Sequence, residues 1–173
     1  MVTVVQSEVD QDRLVQRAVT LLGFAGLIPF WGVLVTWLMG GSLGFDTAMQ
    51  WFRWFALYGA VIVSFMGGVR WGMSMFAPDT ARNAVFGGLL GSVVPPLLAW
   101  AVVAPPGIIH VNGLGPLWQL GLLSLILLYQ LFEDWRSGER GLFPGWYIRV
   151  RMLIVAGAVT PIWMTLLLVA TRF

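Results

Sequence analysis

A single arginine lies within a segment that is otherwise uncharged. Residues 58–72 read YGAVIVSFMGGVRWG, and Arg70 is the one charged residue among them. Burying a guanidinium in an apolar helix is costly, so we expect it either to pair with a carboxylate or to extend to the headgroup layer. Glu133 and Asp134, at the end of a later apolar run, are the carboxylates expected at the same depth. Such a pair would lock two helices together, or leave a cationic pocket for an anionic headgroup.

Two further arginines follow an aromatic turn. Residues 143–147 read FPGWY and precede Arg149 and Arg151. Aromatic rings at this position suit the headgroup layer, where guanidiniums meet lipid phosphates. Lipid anchoring is the ordinary explanation, and recognition of an anionic lipid or an amphipathic substrate is the functional one. The candidate ion pair or anion pocket therefore comprises Arg70, Glu133, Asp134, Arg149 and Arg151.

Other chemistry finds little support in the sequence. There is no cysteine, and His110, close to Asn112 in a Pro/Gly-rich stretch, is the only histidine, so we expect no metal site and no thiol chemistry. Zinc-protease, phosphate-loop and nucleophile-elbow motifs are absent, and no acid lies at mid-depth of an apolar run. We expect no catalytic residue and no cofactor. A lipid- or quinone-modifying enzyme that uses Arg70 and Asp134 electrostatically is the remaining enzymatic alternative.

Composition indicates an integral membrane protein. Hydrophobic residues make up 58% of the chain and charged residues 10%, and the mean hydropathy is +0.83, whereas soluble domains carry about 25% charged residues. All ten basic residues are arginine, and they form no basic stripe of the kind that binds nucleic acid. We therefore predict an all-α polytopic protein with no nucleic-acid partner.

Apolar runs of bilayer length predict five membrane spans. A polar cytoplasmic segment at 1–17 precedes a single helical domain, with spans at about 18–39, 51–76, 83–104, 117–132 and 148–170. Pro29 predicts a kink in the first span, and the Pro95-Pro96 pair predicts a helix break or kink in the third.

The arginine distribution predicts the orientation. In a five-span protein, seven arginines fall on the N-terminal side and two on the other, with Arg70 near the N-terminal edge. Because cytoplasmic loops carry the excess of arginine, we predict a five-transmembrane-helix bundle, N-in/C-out.

Small residues recur at every fourth position of the second and third spans. Rows of this kind let helix backbones approach closely. We expect a seam between these two spans of one chain; the alternative is a seam with a second copy or a partner subunit. The helix-packing residues predicted from this row are Ala60, Ser64, Gly68, Gly72, Gly87 and Gly91.

Three segments together resemble a known family. They are the segment at 58–72, YQLFEDW from Tyr129 and PGWYIRVR from Pro144. The chain resembles, over about 21–168, a family of small polytopic membrane proteins without assigned function, found in proteobacteria and related to mitochondrial transmembrane protein 69. The resemblance implies a five-helix protein of the bacterial inner membrane and supplies no catalytic residues. The residues that match its pattern are Gly67, Gly68, Arg70, Trp71, Gly72, Asp134, Trp135, Tyr147 and Arg151.

Two functions are compatible with these patterns. The leading hypothesis is a non-enzymatic accessory or assembly partner of a larger membrane complex, in contact with the lipid bilayer and with other subunits or a second copy. The alternative is a binding or transport protein for an amphipathic or anionic small molecule or lipid. That alternative uses the Pro95-Pro96 break and a pocket around Arg70 and Arg151, and it requires a polar cavity between spans two, four and five.

Overall fold

The chain is all-helical throughout the residues that the structure describes. The structure is a computed structural model that describes residues 2–76, 85–104 and 116–171, with side chains described except at 2–9, Gly41, Val85 and Phe86. Arg82, His110 and Asn112 lie outside the described residues. The helices are α1 (Val2–Ala25), α2 (Ile28–Leu38), α3 (Gly40–Leu43), α4 (Phe45–Met75), α5 (Val85–Val103), α6 (Leu117–Glu139) and α7 (Gly145–Ala170).

Three of the described helical segments are long and apolar enough to cross a membrane. They are Asp10–Leu38, which joins α1 and α2, then Phe45–Met75 and Gly145–Ala170; a shorter apolar helix covers Gly87–Val103. Large apolar side chains such as Leu21, Phe65 and Leu167 face outward, the reverse of the usual arrangement in a soluble protein. The chain is therefore a helical membrane protein.

Helix α4 is central to the packing. It contacts α2, α5 and α6, while α7 packs against α2 and α6. Phe52 and Val63 of α4 are fully buried beside Leu123 of α6 and Ile162 of α7. The polar residues near the end of α4 are thereby directed at α5 and α6.

The predicted small-residue row does not coincide with the buried face of α4. Gly59, Val63 and Gly67 lie on that face, whereas Ser64 and Gly68 are exposed. A row repeated every four residues advances 40° around a 3.6-residue helix at each step, so it leaves the contact face within a few turns.

Individual members of the row therefore differ. No described atom lies within 4 Å of where a Cβ would stand at Gly68, Gly72 or Gly87. Ala60 is buried and Gly91 lies against a neighbouring side chain. The predicted seam is corrected to one in which Gly67 makes the close contact with α5.

Helix α5 continues through its two prolines, which corrects the predicted break at Pro95 and Pro96. Pro96 has no N–H, so the carbonyl of Ser92 lacks its helical donor. A Cβ at Gly67 would collide with that carbonyl oxygen and lie 2.7 Å from Cγ of Pro96. The bare backbone of Gly67 lets α4 cover the proline step closely, and this packing holds α5 helical across it.

Side chains of neighbouring helices also bind carbonyls near other prolines. The helix is interrupted between α1 and α2, and Pro29 occupies the first turn of α2. At this interruption the Tyr58 hydroxyl donates to the Gly26 carbonyl at 2.9 Å. At the end of α5, Nε2 of Gln119 donates to the Val102 carbonyl at 2.8 Å. The helical donor for Val102 would be Pro106, which has no N–H. Each contact gives a helix carbonyl a hydrogen-bond donor from another helix, which matters most where no water is available.

Two neighbouring glycines offer a matched test of this packing. Gly67→Ala should lower stability by about 1–3 kcal/mol, because the added methyl group must displace α5 backbone at the proline step. Gly68→Ala should leave stability unchanged or slightly raised, since no described atom lies within 4 Å of its Cβ position and alanine favours helix. Thermal melting of the detergent-solubilised variants measures both. Equal melting temperatures would contradict the close contact.

The hydrogen bond at the α1–α2 interruption can be tested by removing one oxygen. Tyr58→Phe should cost about 1–3 kcal/mol, because it leaves the Gly26 carbonyl without this donor. Tyr129→Phe is the control, since Tyr129 is 47% exposed. A melting temperature that falls only for Tyr58→Phe is expected; an equal fall in both would indicate a general effect of losing a hydroxyl.

Candidate functional site

Three helices bring charged residues together at one end of the molecule. Arg70 lies in the last turns of α4, Glu133 and Asp134 lie towards the end of α6, and Arg151 lies in the second turn of α7. These four residues form the charge cluster. Because α4 and α6 are in contact and α7 packs on α6, the cluster joins three helices.

Arg70 contacts three groups of α6. Its Nη1 donates to Oδ1 of Asp134 at 3.3 Å, and its Nη2 donates to Oε2 of Glu133 and to Oγ of Ser137, both at 3.1 Å. The hydroxyl of Ser137 in turn donates to the Glu133 carbonyl at 2.8 Å. A guanidinium presents its donors in a fixed planar fork, so these contacts set the orientation of α4 against α6.

Asp134 is shared between two arginines. Its Oδ1 accepts from Arg70, while its Oδ2 lies 2.9 Å from Nη2 of Arg151. One carboxylate thus connects α4 to α7 across α6.

Burial makes these contacts consequential. The side chains of Arg70, Asp134 and Arg151 are 7%, 3% and 4% exposed, whereas Glu133 is 21% exposed at the rim. The cluster contains two cations and two anions, so its net charge is zero. Such a cluster is stable only as a complete set, because removing one partner strands a buried charge.

Helix α5 makes room for the guanidinium of Arg70. A Cβ at Gly91 would lie 3.3 Å from Cζ, Nε and Nη2 of that side chain. Similarly, a Cβ at Gly88 would lie 2.7 Å from Oγ of Ser74. Gly88 and Gly91 of α5 therefore leave room for polar side chains of α4. For Gly91, the sequence had predicted contact between helix backbones.

A buried amide lies one turn from Asp134. Nε2 of Gln130 donates to the Val63 carbonyl of α4 at 3.1 Å. Among the described residues, its Oε1 and the Nε atoms of Arg70 and Arg151 are buried with no hydrogen-bond partner. The polar interior at this end is therefore nearly, but not completely, satisfied.

The structure places four of the five candidate charged residues in one cluster. Arg149 is not among them: it is exposed on the opposite side of α7 from Arg151. Sequence reasoning missed Ser137 and Gln130. Their spacing was the available signal, because each lies four residues from a cluster acid and therefore on the same face of α6.

Two grooves are lined by described residues other than those of the charge cluster. One of about 240 Å³ is lined by Gly67, Trp71 and Pro96 among others, and another of about 380 Å³ by Gln50, Trp51 and Trp54. Among the described side chains no group of three could hold a metal ion. The geometry of the cluster suits an electrostatic clamp between helices.

The two cluster acids should differ in importance. Asp134→Asn should destabilise the protein by about 3–5 kcal/mol, because Arg151 loses its carboxylate while remaining buried. Glu133→Gln should cost much less, since Arg70 keeps Asp134 and Glu133 is partly solvated. Glu139→Gln, at an exposed position of α6, is the control. Thermal melting and folded yield measure the order, and a larger effect of Glu133→Gln would contradict the shared role of Asp134.

Comparisons with known proteins agree with the family resemblance. A family model described as Protein of unknown function (DUF3429) matches residues 15–167. The chain is also 30% identical over 127 residues to Transmembrane protein 69 of Xenopus tropicalis, covering 70% of this chain and 47% of that protein. It thus spans about half the length of this relative. No solved structure matches the chain. The chain belongs to the DUF3429 family of proteins of unknown function, to which Transmembrane protein 69 is related.

Proposed function

We propose that the chain is a non-enzymatic accessory or assembly partner of a larger membrane complex. The observation that carries this proposal is the neutral charge cluster: both buried guanidiniums are engaged by carboxylates of the same chain. A catalytic or transport site needs polar groups available to a substrate, whereas these are committed to holding α4, α6 and α7 together. A rigid helical scaffold is what such a clamp produces.

The proposed topology is five spans, N-in/C-out, in the bacterial inner membrane. Helices α1 and α2 together would form the first span, and α4 to α7 the other four. Helix α5 has 19 residues and α6 has 23, or about 28 and 34 Å at 1.5 Å per residue. Both lengths suit a hydrocarbon core of about 30 Å. The arginine excess on the N-terminal side supports the orientation.

The outer face of α4 is where we propose that a partner subunit packs. Ser64 and Gly68 are exposed, and no described atom occupies the space next to Gly68 and Gly72. Small residues four apart let a second helix approach closely within a membrane. Helix α5 of this chain packs on the neighbouring face of α4, through Gly67. The outer row, formed by Ser64, Gly68 and Gly72, is therefore available to another helix.

A binding or transport function for an amphipathic or anionic molecule is the alternative. One observation favours it: the Nε atoms of Arg70 and Arg151 are buried and have no hydrogen-bond partner in the part of the chain that the structure describes. An anion reaching Arg70 would have to displace Glu133, the partly exposed acid of the cluster. The accessory role has the stronger support, because Arg70 and Arg151 are already engaged by carboxylates of the same chain.

Bulky residues on the outer row should separate the protein from its partner. Gly68→Leu combined with Gly72→Leu should leave the melting temperature near that of the unmodified chain, because no described atom lies within 4 Å of either Cβ position. The same variant should elute from size-exclusion chromatography as a monomer, while the unmodified chain co-elutes with other subunits after mild detergent extraction.

A second pair of outward substitutions provides the control. Ala156 and Thr160 are also four residues apart and exposed, on α7. Replacing both with leucine should leave the co-elution intact. An unmodified chain that elutes alone, or a complex that survives leucine at Gly68 and Gly72, would contradict the proposal.

A further inference from the structure

We propose that the end of the α6–α7 hairpin binds anionic lipid headgroups through Arg136, Arg140 and Arg149. These three residues are called the arginine surface. The proposal is independent of the accessory role, because it concerns the bilayer around the chain. It also differs from the anion pocket expected at Arg70 and Arg151, whose charges are already neutralised within the chain.

The three arginines are exposed and form no ion pair with an acid among the described residues. Each is solvent- or lipid-accessible, and none lies within ion-pairing distance of a described acid. The sequence from 133 to 151 contains three acids. Glu133 and Asp134 are paired with Arg70 and Arg151, which leaves Glu139. The arginine surface therefore carries three positive charges against one negative charge.

The neighbouring aromatic rings indicate the depth of this surface. Trp135, next to Arg136, is 47% exposed and packs against Phe132 with ring centroids 6.1 Å apart. Trp146 and Tyr147 form a similar pair, also at 6.1 Å, close to Arg149. Tryptophan and tyrosine favour the headgroup layer at the ends of membrane helices. The guanidiniums therefore lie at the level of lipid phosphates.

A closely packed turn fixes the hairpin. Gly141 adopts a φ of +78°. The Leu142 N–H donates to the Ser137 carbonyl at 3.1 Å, and the Gly141 N–H donates to the Gly138 carbonyl at 3.0 Å. This double contact is the Schellman termination of a helix. A Cβ at Gly138 would lie 2.9 Å from Cγ1 of Ile148, so the start of α7 packs directly on α6. The backbone that carries Arg140 and Arg149 is therefore held in place.

Anionic lipid is the occupant that this setting favours. Phosphates of the surrounding bilayer are the anions found at headgroup depth, and a lipid with net negative charge gains more from three guanidiniums than a zwitterionic one. Each basic residue near an anionic membrane surface changes affinity by about fivefold, from roughly 1 kcal/mol per residue. Preference for phosphatidylglycerol over phosphatidylcholine is therefore the measurable signature.

Native mass spectrometry of the full-length protein can test this preference. The unmodified chain is titrated in detergent with phosphatidylglycerol and with phosphatidylcholine of the same acyl chains, and the bound lipids are counted. Arg136→Gln, Arg140→Gln and Arg149→Gln combined should lower phosphatidylglycerol binding by about fivefold for each arginine that contacts a headgroup. Phosphatidylcholine binding should not change.

A charge-matched control separates the surface from net charge. Arg13, Arg17 and Arg53 are exposed elsewhere, and replacing all three with glutamine should leave the lipid preference intact. Equal losses in both triple variants, or no loss in the first, would overturn the proposal. Inorganic phosphate added to the unmodified chain should fail to displace phosphatidylglycerol; displacement would show a site for free phosphate and would also overturn it.

Discussion

One carboxylate shared by two buried guanidiniums holds the polar end of this structure together. Asp134 gives one oxygen to Arg70 and the other to Arg151, so α4, α6 and α7 meet at a single side chain. In a medium of low dielectric the attraction is strong, but the cost of an unpaired charge is also large. The positions of the three helices therefore depend on one another, and Gly91 of α5 leaves room for Arg70, because a Cβ there would lie 3.3 Å from its guanidinium.

The need to give buried polar groups a partner also applies along the rest of the molecule. Prolines and helix interruptions leave backbone carbonyls without a helical donor, and inside a membrane such carbonyls cannot turn to water. The hydroxyl of Tyr58 and the amide of Gln119 supply donors from neighbouring helices, and Gly67 allows close packing where neither is present. Polar side chains and glycines thus determine which helices are neighbours, while the apolar residues of the core fill the space between them.

The arginines at this end of the molecule form two sets. Arg70 and Arg151 are buried, whereas Arg136, Arg140 and Arg149 are exposed. The inward set is neutralised and serves the fold, whereas the outward set at the α6–α7 hairpin carries a positive surplus. Arg149 and Arg151 show the distinction over a single turn, because two residues rotate a helical side chain by about 200°. The neutralised interior and the open row of small residues on α4 are the features on which the proposed accessory role rests, and the basic rim is the feature on which the proposed lipid binding rests.

The sequence by itself determined the class and the approximate position of the apolar helices, because composition and run length report directly on the bilayer as solvent. Three motifs carried the resemblance to the family. Depth matching also singled out Glu133 and Asp134 as the acids nearest Arg70. Tertiary structure decided what periodicity could not: which glycine meets α5, that α5 continues through Pro95 and Pro96, and that Arg151 turns inward while Arg149 does not. The reason is physical. These outcomes depend on side-chain direction and on partners from distant helices, and neither is fixed by the order of residues along one helix.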